Sequence, residues 1–274
     1  MNRAERRRQR KSVVSVHQRS AINEKTSEEI LLNTAMQYLA NGHTSRAKEV
    51  CSGILKNNPS QPDALHLIGL VALKTGNYKA AIKQIARAVQ ITPTYVEAIS
   101  NLGLAYRASG RFKEALKCFR RAVKLNAGVA EIHNNLGLTL HDLREYRLAL
   151  GAYDDAISIK PENSEAYYNK GNCHFQLKEY QLAISNYQAA LEINDENTEV
   201  LGNLGVALQE AGRLAEAIKV YQKVIVTKPD DSKTYNNLGT ALRDLSDFEG
   251  ALTSYMKAIS IDPIFEEAHL NLGL

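Results

Sequence analysis

Tryptophan is absent from this chain, and cysteine occurs only three times. Cys51, Cys118 and Cys173 are an odd number, and each falls within helical patterning. They therefore read as small core residues in a reducing compartment, not as a disulfide framework. Long apolar stretches are missing too. None reaches the roughly 18 residues that a membrane-spanning helix needs, so no transmembrane segment is expected. The basic opening is followed only by Ser12-Val13-Val14-Ser15-Val16, too short and too polar for the apolar core of a secretory signal. A cytoplasmic location is the resulting expectation.

Catalytic signatures are equally lacking. No glycine-rich loop suits a phosphate. The histidines (His17, His43, His66, His133, His141, His174 and His269) are scattered. His133 and His141 share a helix but stand eight apart, and no spaced cysteines or histidines complete a metal site. No nucleophile has a base at recognisable spacing. The expectation is a non-enzymatic protein with no catalytic residue, no metal and no cofactor.

Net charge is small over most of the sequence. The net value is +4, but residues 1–20 hold seven cations (Arg3, Arg6, Arg7, Arg8, Arg10, Lys11 and Arg19) against Glu5. The leader thus carries +6 and the remainder −2. Residues 1–27 read as a solvated basic leader, with contact to an anionic surface as the sharper alternative.

What the sequence does contain is a period. Leu102-Gly103 recurs 34 residues on as Leu136-Gly137, then as Lys170-Gly171, Leu204-Gly205, Leu238-Gly239 and Leu272-Gly273. One step back it is Ile68-Gly69. Ala47, Ala81, Ala115, Ala149, Ala183, Ala217 and Ala251 keep the same step. So do Pro59, Pro93, Pro161, Pro229 and Pro263, with Ala127 and Asp195 at the two skipped places. A fixed period of this size means a repeat array and not one globular core. Although 274 residues would allow one or two globular domains, the repeat points to one solenoid in which each unit touches its neighbours.

Inside the unit, Ile99, Leu102, Ala105 and Tyr106 form the apolar stripe of a first helix. Ser109-Gly110-Arg111 breaks it, and Gly110 suits the left-handed residue that ends a helix. Ala115, Leu116, Phe119, Ala122 and Val123 form a second stripe. The prolines follow it, where proline cannot continue a helix. Gly103 and Ala115 are small so that the two helices approach closely. At the Gly110 slot, the fourth, fifth and seventh turns carry Arg144, Lys178 and Ser246. The fourth and fifth are expected to be slightly strained or differently shaped.

These marks resemble the tetratricopeptide repeat, with L-G, then A, then an aromatic, then P. The aromatics here are Phe119, Tyr153, Tyr187, Tyr221 and Tyr255. The resemblance implies an all-α fold, a right-handed α-solenoid of tandem helix-turn-helix units. It covers seven units, at 28–61, 62–95, 96–129, 130–163, 164–197, 198–231 and 232–265, and 266–274 begins an eighth. The first unit is the poorest, with Thr34-Ala35 for L-G and Cys51 for the aromatic. Leu270, Leu272 and Leu274 are expected to leave apolar surface open. That points to a longer parent protein or to self-association through the C-terminal end.

Function is expected on the concave face that first helices line in this family. Position 6 of the unit reads Asn33, Leu67, Asn101, Asn135, Asn169, Asn203, Asn237 and Asn271. Packing makes no evident demand for asparagine, a poor helix former. Its carboxamide offers an acceptor and two donors to a peptide backbone. The row resembles the asparagine ladder of the superhelix in O-GlcNAc transferases, which holds peptide backbones. An ancestral, structural role is the alternative. Beside the ladder stand Asn134, Tyr168, Asn236, Asn172, Arg107, His141, Asp142, Phe175, Gln209, Glu210, Arg243 and Asp244. Position 2 is mostly acidic (Glu29, Asp63, Glu97, Glu131, Glu165 and Glu199), which argues against the basic clamp that family co-chaperones use on acidic tails.

The reading is thus a scaffold binding protein or peptide segments in the groove. The contact residues are taken as Asn101, Asn135, Asn169, Asn203, Asn237, Asn271, Tyr168, Asn172, Phe175, Arg107 and Arg243. The alternative is the substrate-recruiting part of a longer O-GlcNAc-transferase-like glycosyltransferase.

Overall fold

The computed structural model describes residues 27–273. The basic leader and Leu274 lie outside them. The described residues form an all-α solenoid of helical repeats in two compact units, divided between Asn126 and Ala127. In the first unit α1 spans residues 27–40. It is followed by α2 (Thr44–Asn57), α3 (Pro62–Lys74), α4 (Tyr78–Ile91), α5 (Val96–Ala108) and α6 (Phe112–Leu125). The second unit comprises α7 (Ala130–Asp142), α8 (Tyr146–Ile159), α9 (Ser164–Gln176), α10 (Tyr180–Ile193), α11 (Thr198–Glu210), α12 (Leu214–Thr227), α13 (Ser232–Asp244), α14 (Phe248–Ile261) and α15 (Glu266–Leu272). Odd-numbered helices are the first helices of their repeats. Within each unit a helix packs on its partner and on the next repeat. Among the described residues no helix is long and apolar enough to cross a membrane.

Local chemistry sets the helix ends. Asn77, Asn163, Asn197, Asp231 and Asp247 each cap a helix by accepting the backbone N–H three residues on. At the other end, Asn77 N–H donates to Ala72 O (2.8 Å) and Gly76 N–H to Leu73 O (3.1 Å). This pair of bonds closes a helix through a left-handed residue, here Gly76 at φ 74°.

The turns without glycine have the same shape. Arg144 and Lys178 sit at φ 60° and 59°, and Ser246 at φ 67°. The closing bonds recur as Glu179 N–H to His174 O and Lys178 N–H to Phe175 O, both 2.9 Å. So the fourth and fifth turns are not reshaped; they hold a side chain where Cβ crowds the carbonyl. Lys178 is exposed, so truncating it loses no buried contact. Lys178→Gly is expected to stabilise the protein by about 0.5–1 kcal/mol, the left-handed strain relieved less glycine's extra backbone entropy. An unchanged or lower urea midpoint would contradict this.

The core explains the small residues. The recurring alanine is buried in every repeat, from Ala47 to Ala251. From the third repeat to the seventh, the L-G glycine lies beneath the aromatic of the second helix, and in the second repeat Gly69 lies beneath Ile85. A methyl placed on Gly171 would stand 2.6 Å from Cε1 of Tyr187, and one on Gly239 2.7 Å from Cε1 of Tyr255. The first repeat reaches the same packing by exchange. Ala35 takes the glycine place and Cys51 the aromatic place, and both are fully buried in one cluster. The thinner cysteine leaves room for the methyl. On α15, Leu270 is 75 % exposed and Leu272 is half-buried.

Candidate functional site

Four of the ladder asparagines are tied between repeats. Asn203 Nδ2 donates to Tyr168 Oη (2.9 Å) and Asn271 Nδ2 to Asn236 Oδ1 (2.9 Å). Asn169 Nδ2 reaches Asn134 Oδ1 at 3.4 Å, and Asn101 Nδ2 lies 2.9 Å from His66 Nε2. In every case the partner is position 5 of the preceding repeat. That residue can itself bond onward to the position-2 acid. Asn134 donates to Glu165 (3.1 Å) and Tyr168 to Glu199 (2.8 Å). At these four positions packing therefore does make a demand for asparagine, which helix propensity did not suggest. A short carboxamide bridges adjacent first helices and satisfies polar groups that stacking would otherwise strand.

The consequences differ along the ladder. Asn169 is buried. Asn101, Asn135, Asn203, Asn237 and Asn271 are half-buried. Asn237 follows a repeat whose position 5 is Gly202, which has no side chain to accept its amide. The amide oxygens of Asn101, Asn203 and Asn271 accept no bond from the described residues and remain available.

In the second unit these groups surround a cavity of about 300 Å³. His141 of α7 lines it, with Asn172, Phe175 and Gln176 of α9, Tyr187 of α10, and Asn203 and Val206 of α11. Tyr187 Oη donates to Asn172 Oδ1 (2.7 Å), which also receives Asn203 Nδ2 at 3.3 Å. The Asn172 carbonyl is thereby saturated, and its NH₂ group lies beside the Tyr168 hydroxyl with a second hydrogen left to donate. The Phe175 ring stands 5.5 Å from that of Tyr180, and the Tyr168 ring 6.0 Å from that of Tyr187. Burial pushes the Tyr168 phenol up, and its bond to Glu199 pushes it further. Burial likewise raises Tyr187. Both phenols thus stay protonated at neutral pH. The cavity has an apolar wall and an amide edge, a combination that holds a side chain and the backbone beside it.

Of the residues singled out from the sequence, His141, Asn172, Phe175 and Asn203 meet in this cavity, with Tyr168 holding Asn203 from one side. Arg243 pairs with Asp244 on its own helix at 3.2 Å. Asn101 and half-buried Arg107 belong to the first unit. Tyr187, Gln176 and Val206 were not anticipated. Tyr187 was legible only as a core aromatic, because whether its ring borders a cavity depends on where α9 and α11 pass.

The first unit has its own concavity of about 360 Å³, lined by Leu32, Met36 and Leu67 below and by Glu29, Asp63 and Glu97 at its edge. His66 and Tyr95 bond to each other inside it at 3.1 Å. Its negative edge would repel an acidic tail. Among the described residues no group of histidine, cysteine and carboxylate ligands could hold a metal ion.

Models of the tetratricopeptide repeat match residues 32–96, 130–163, 164–197 and 183–232, and a model described as TPR repeat matches 103–143 and 239–274. No curated protein matches the sequence. Among solved structures, YrrB, described as a TPR protein with an unusual peptide-binding site, is 23% identical with a TM-score of 0.62, covering 71% of this chain and all of its own. MamA is 25% identical at a TM-score of 0.57, covering 59% of this chain and 95% of its own. PilF of Pseudomonas aeruginosa is 20% identical at 0.65, covering 76% and 95%. At such identities the likeness speaks for the fold.

Proposed function

Since the chain belongs to the tetratricopeptide repeat family, a fold of non-enzymatic protein-interaction scaffolds, we propose that its second unit binds an extended peptide segment across α7, α9 and α11. The cavity at Asn172, Phe175 and Asn203 carries this reading. An apolar peptide side chain enters against Phe175, Val206 and the Tyr187 ring. Asn172 Nδ2 and Asn203 Oδ1 then meet a backbone carbonyl and a backbone N–H of the peptide on either side. The inter-repeat bonds fix both amides beforehand, so little side-chain entropy is lost on binding. The peptide-binding site in the description of YrrB fits this reading. A longer glycosyltransferase would recruit its substrate through the same groove.

The test is a display library of random linear peptides selected on the full-length protein. Phe175→Ala and Gln176→Ala leave the ladder bonds in place; exposed Gln176→Ala should melt as the wild type does, whereas Phe175→Ala gives up packing on the core and is read for binding well below its lowered melting point. Phe175→Ala is expected to weaken the selected peptides about ten-fold or more, as a central aromatic contact does. Leu252→Ala, on α14 away from the cavity, should leave them unaffected. Equal binding by wild type and both cavity variants would refute the site.

A further inference from the structure

The second helices of the first unit carry a charge that the second unit does not. Helices α2, α4 and α6 hold eleven Lys and Arg against Glu49 and Glu114, whereas α8, α10, α12 and α14 hold four against five acids. The repeat and its packing are the same in both, so the fold does not ask for this excess. Much of it forms a stripe. Lys79, Lys83 and Arg87 on α4 match Lys113, Lys117 and Arg121 on α6, one period apart. Successive members are four residues apart, about 6 Å along the helix. All six are exposed.

No ion pair neutralises the stripe. Among the described residues none of the six is bonded to a carboxylate, and only Lys117 lies near enough to one, Glu114, to help lower its pKa. Glu114 is bound to Arg111 at 2.6 Å, outside the helices. Arg87 donates to Pro59 O at 3.2 Å, and Arg121 donates to Pro93 O. These bonds go to carbonyls at the end of the preceding repeat, so they hold the rows in register and leave the charge uncompensated. Each row then ends, four residues on, in an aliphatic residue. Ile91 is 43 % and Leu125 42 % exposed. In the fourth and fifth repeats the same stripe reads Arg147, Gly151, Asp155 and Gln181, Ser185, Ala189.

We propose that this face of the first unit docks on an anionic phospholipid surface. Two parallel rows form a two-dimensional array, which matches a plane of headgroups better than a single phosphate strand. The two cavities described above are lined mainly by first helices and by none of the six cations. The terminal aliphatics have an apolar place to go at the boundary of headgroup and acyl tail, and none on a phosphate backbone. Docking by the outer helices leaves the first-helix face open to a peptide, so this inference stands apart from the groove.

Flotation of the full-length protein with phosphatidylcholine vesicles, with and without phosphatidylglycerol, tests it. Binding is expected only with phosphatidylglycerol. Lys79→Gln/Lys83→Gln/Lys113→Gln/Lys117→Gln should weaken it at least about ten-fold, since each cation near such a surface contributes on the order of 1 kcal/mol. The leader is present in both proteins and cancels. Ile91→Ser/Leu125→Ser should also weaken vesicle binding while leaving any retention on duplex DNA as it was. The proposal is overturned if the lysine variant floats like wild type, if the full-length protein does not float at all, or if duplex DNA at equal phosphate competes it off the vesicles.

Discussion

Replacing Tyr187 with alanine is expected to destabilise the second unit by about 3–5 kcal/mol, the cost of emptying an aromatic site in a packed core. The residue is 1 % exposed and sits in the cluster formed by α9 to α13. Its ring covers Gly171, and its hydroxyl donates to Asn172 at 2.7 Å. Tyr187→Phe keeps the ring and should cost only about 1 kcal/mol, the net worth of one hydrogen bond. Gly171→Ala forces a methyl to 2.6 Å from the ring, an overpacking cost of about 1–3 kcal/mol. In a Tyr187→Ala background the ring is gone and that cost should nearly vanish. The two changes are therefore expected to be strongly non-additive. Urea unfolding gives the sizes. Because repeat arrays unfold by neighbouring units and not as one block, hydrogen exchange should place the loss at α9 to α12. Additive costs would mean that the ring and glycine do not share one space.

Acidification should weaken the first unit through His66. The ring is 5 % exposed, and burial lowers its pKa from 6.5 to about 4, with Asp63 offsetting this only in part. Asn101 Nδ2 faces Nε2 at 2.9 Å and Tyr95 Oη lies 3.1 Å from Nδ1. A donating amide needs a lone pair on Nε2, so the arrangement suits the neutral ring with its proton on Nδ1. The folded state thus binds the proton later than the unfolded state. Stability from this group is fully present above pH 6.5 and is lost as pH falls towards 4. By linkage the loss is on the order of 3 kcal/mol at its limit. His66→Asn supplies the control, since asparagine holds this position in the fourth and seventh repeats and pairs there with the ladder. The variant should melt with a shallower pH dependence between 6.5 and 4 than the wild type. Identical slopes would show that His66 is not the titrating group.

Much of the fold was legible because it is local and repeated. The glycine slot closes a helix through bonds among six consecutive residues, and Gly42, Gly76, Gly110 and Gly212 do adopt positive φ. Arg144, Lys178 and Ser246 show that position in the repeat outweighs residue preference, since stacking on both sides holds the turn. The candidate site was legible only in part. Asn172, Phe175 and Asn203 were found from their places in the repeat. What the ladder amides bond to was not, because their partners lie 35 residues back.

Read alone, the sequence determined the helix pairs, their period and their small contact residues. Each follows from side-chain size, backbone preference or spacing along one short segment. Only the tertiary structure decided which face of each asparagine is spent between repeats, how Ala35 and Cys51 exchange volume, and where an aromatic edge borders a cavity. It also decided that six cations on α4 and α6 lie in two exposed rows, none of them ion-paired among the described residues. Those outcomes depend on how neighbouring helices stack, and stacking is fixed by contacts between residues far apart in sequence.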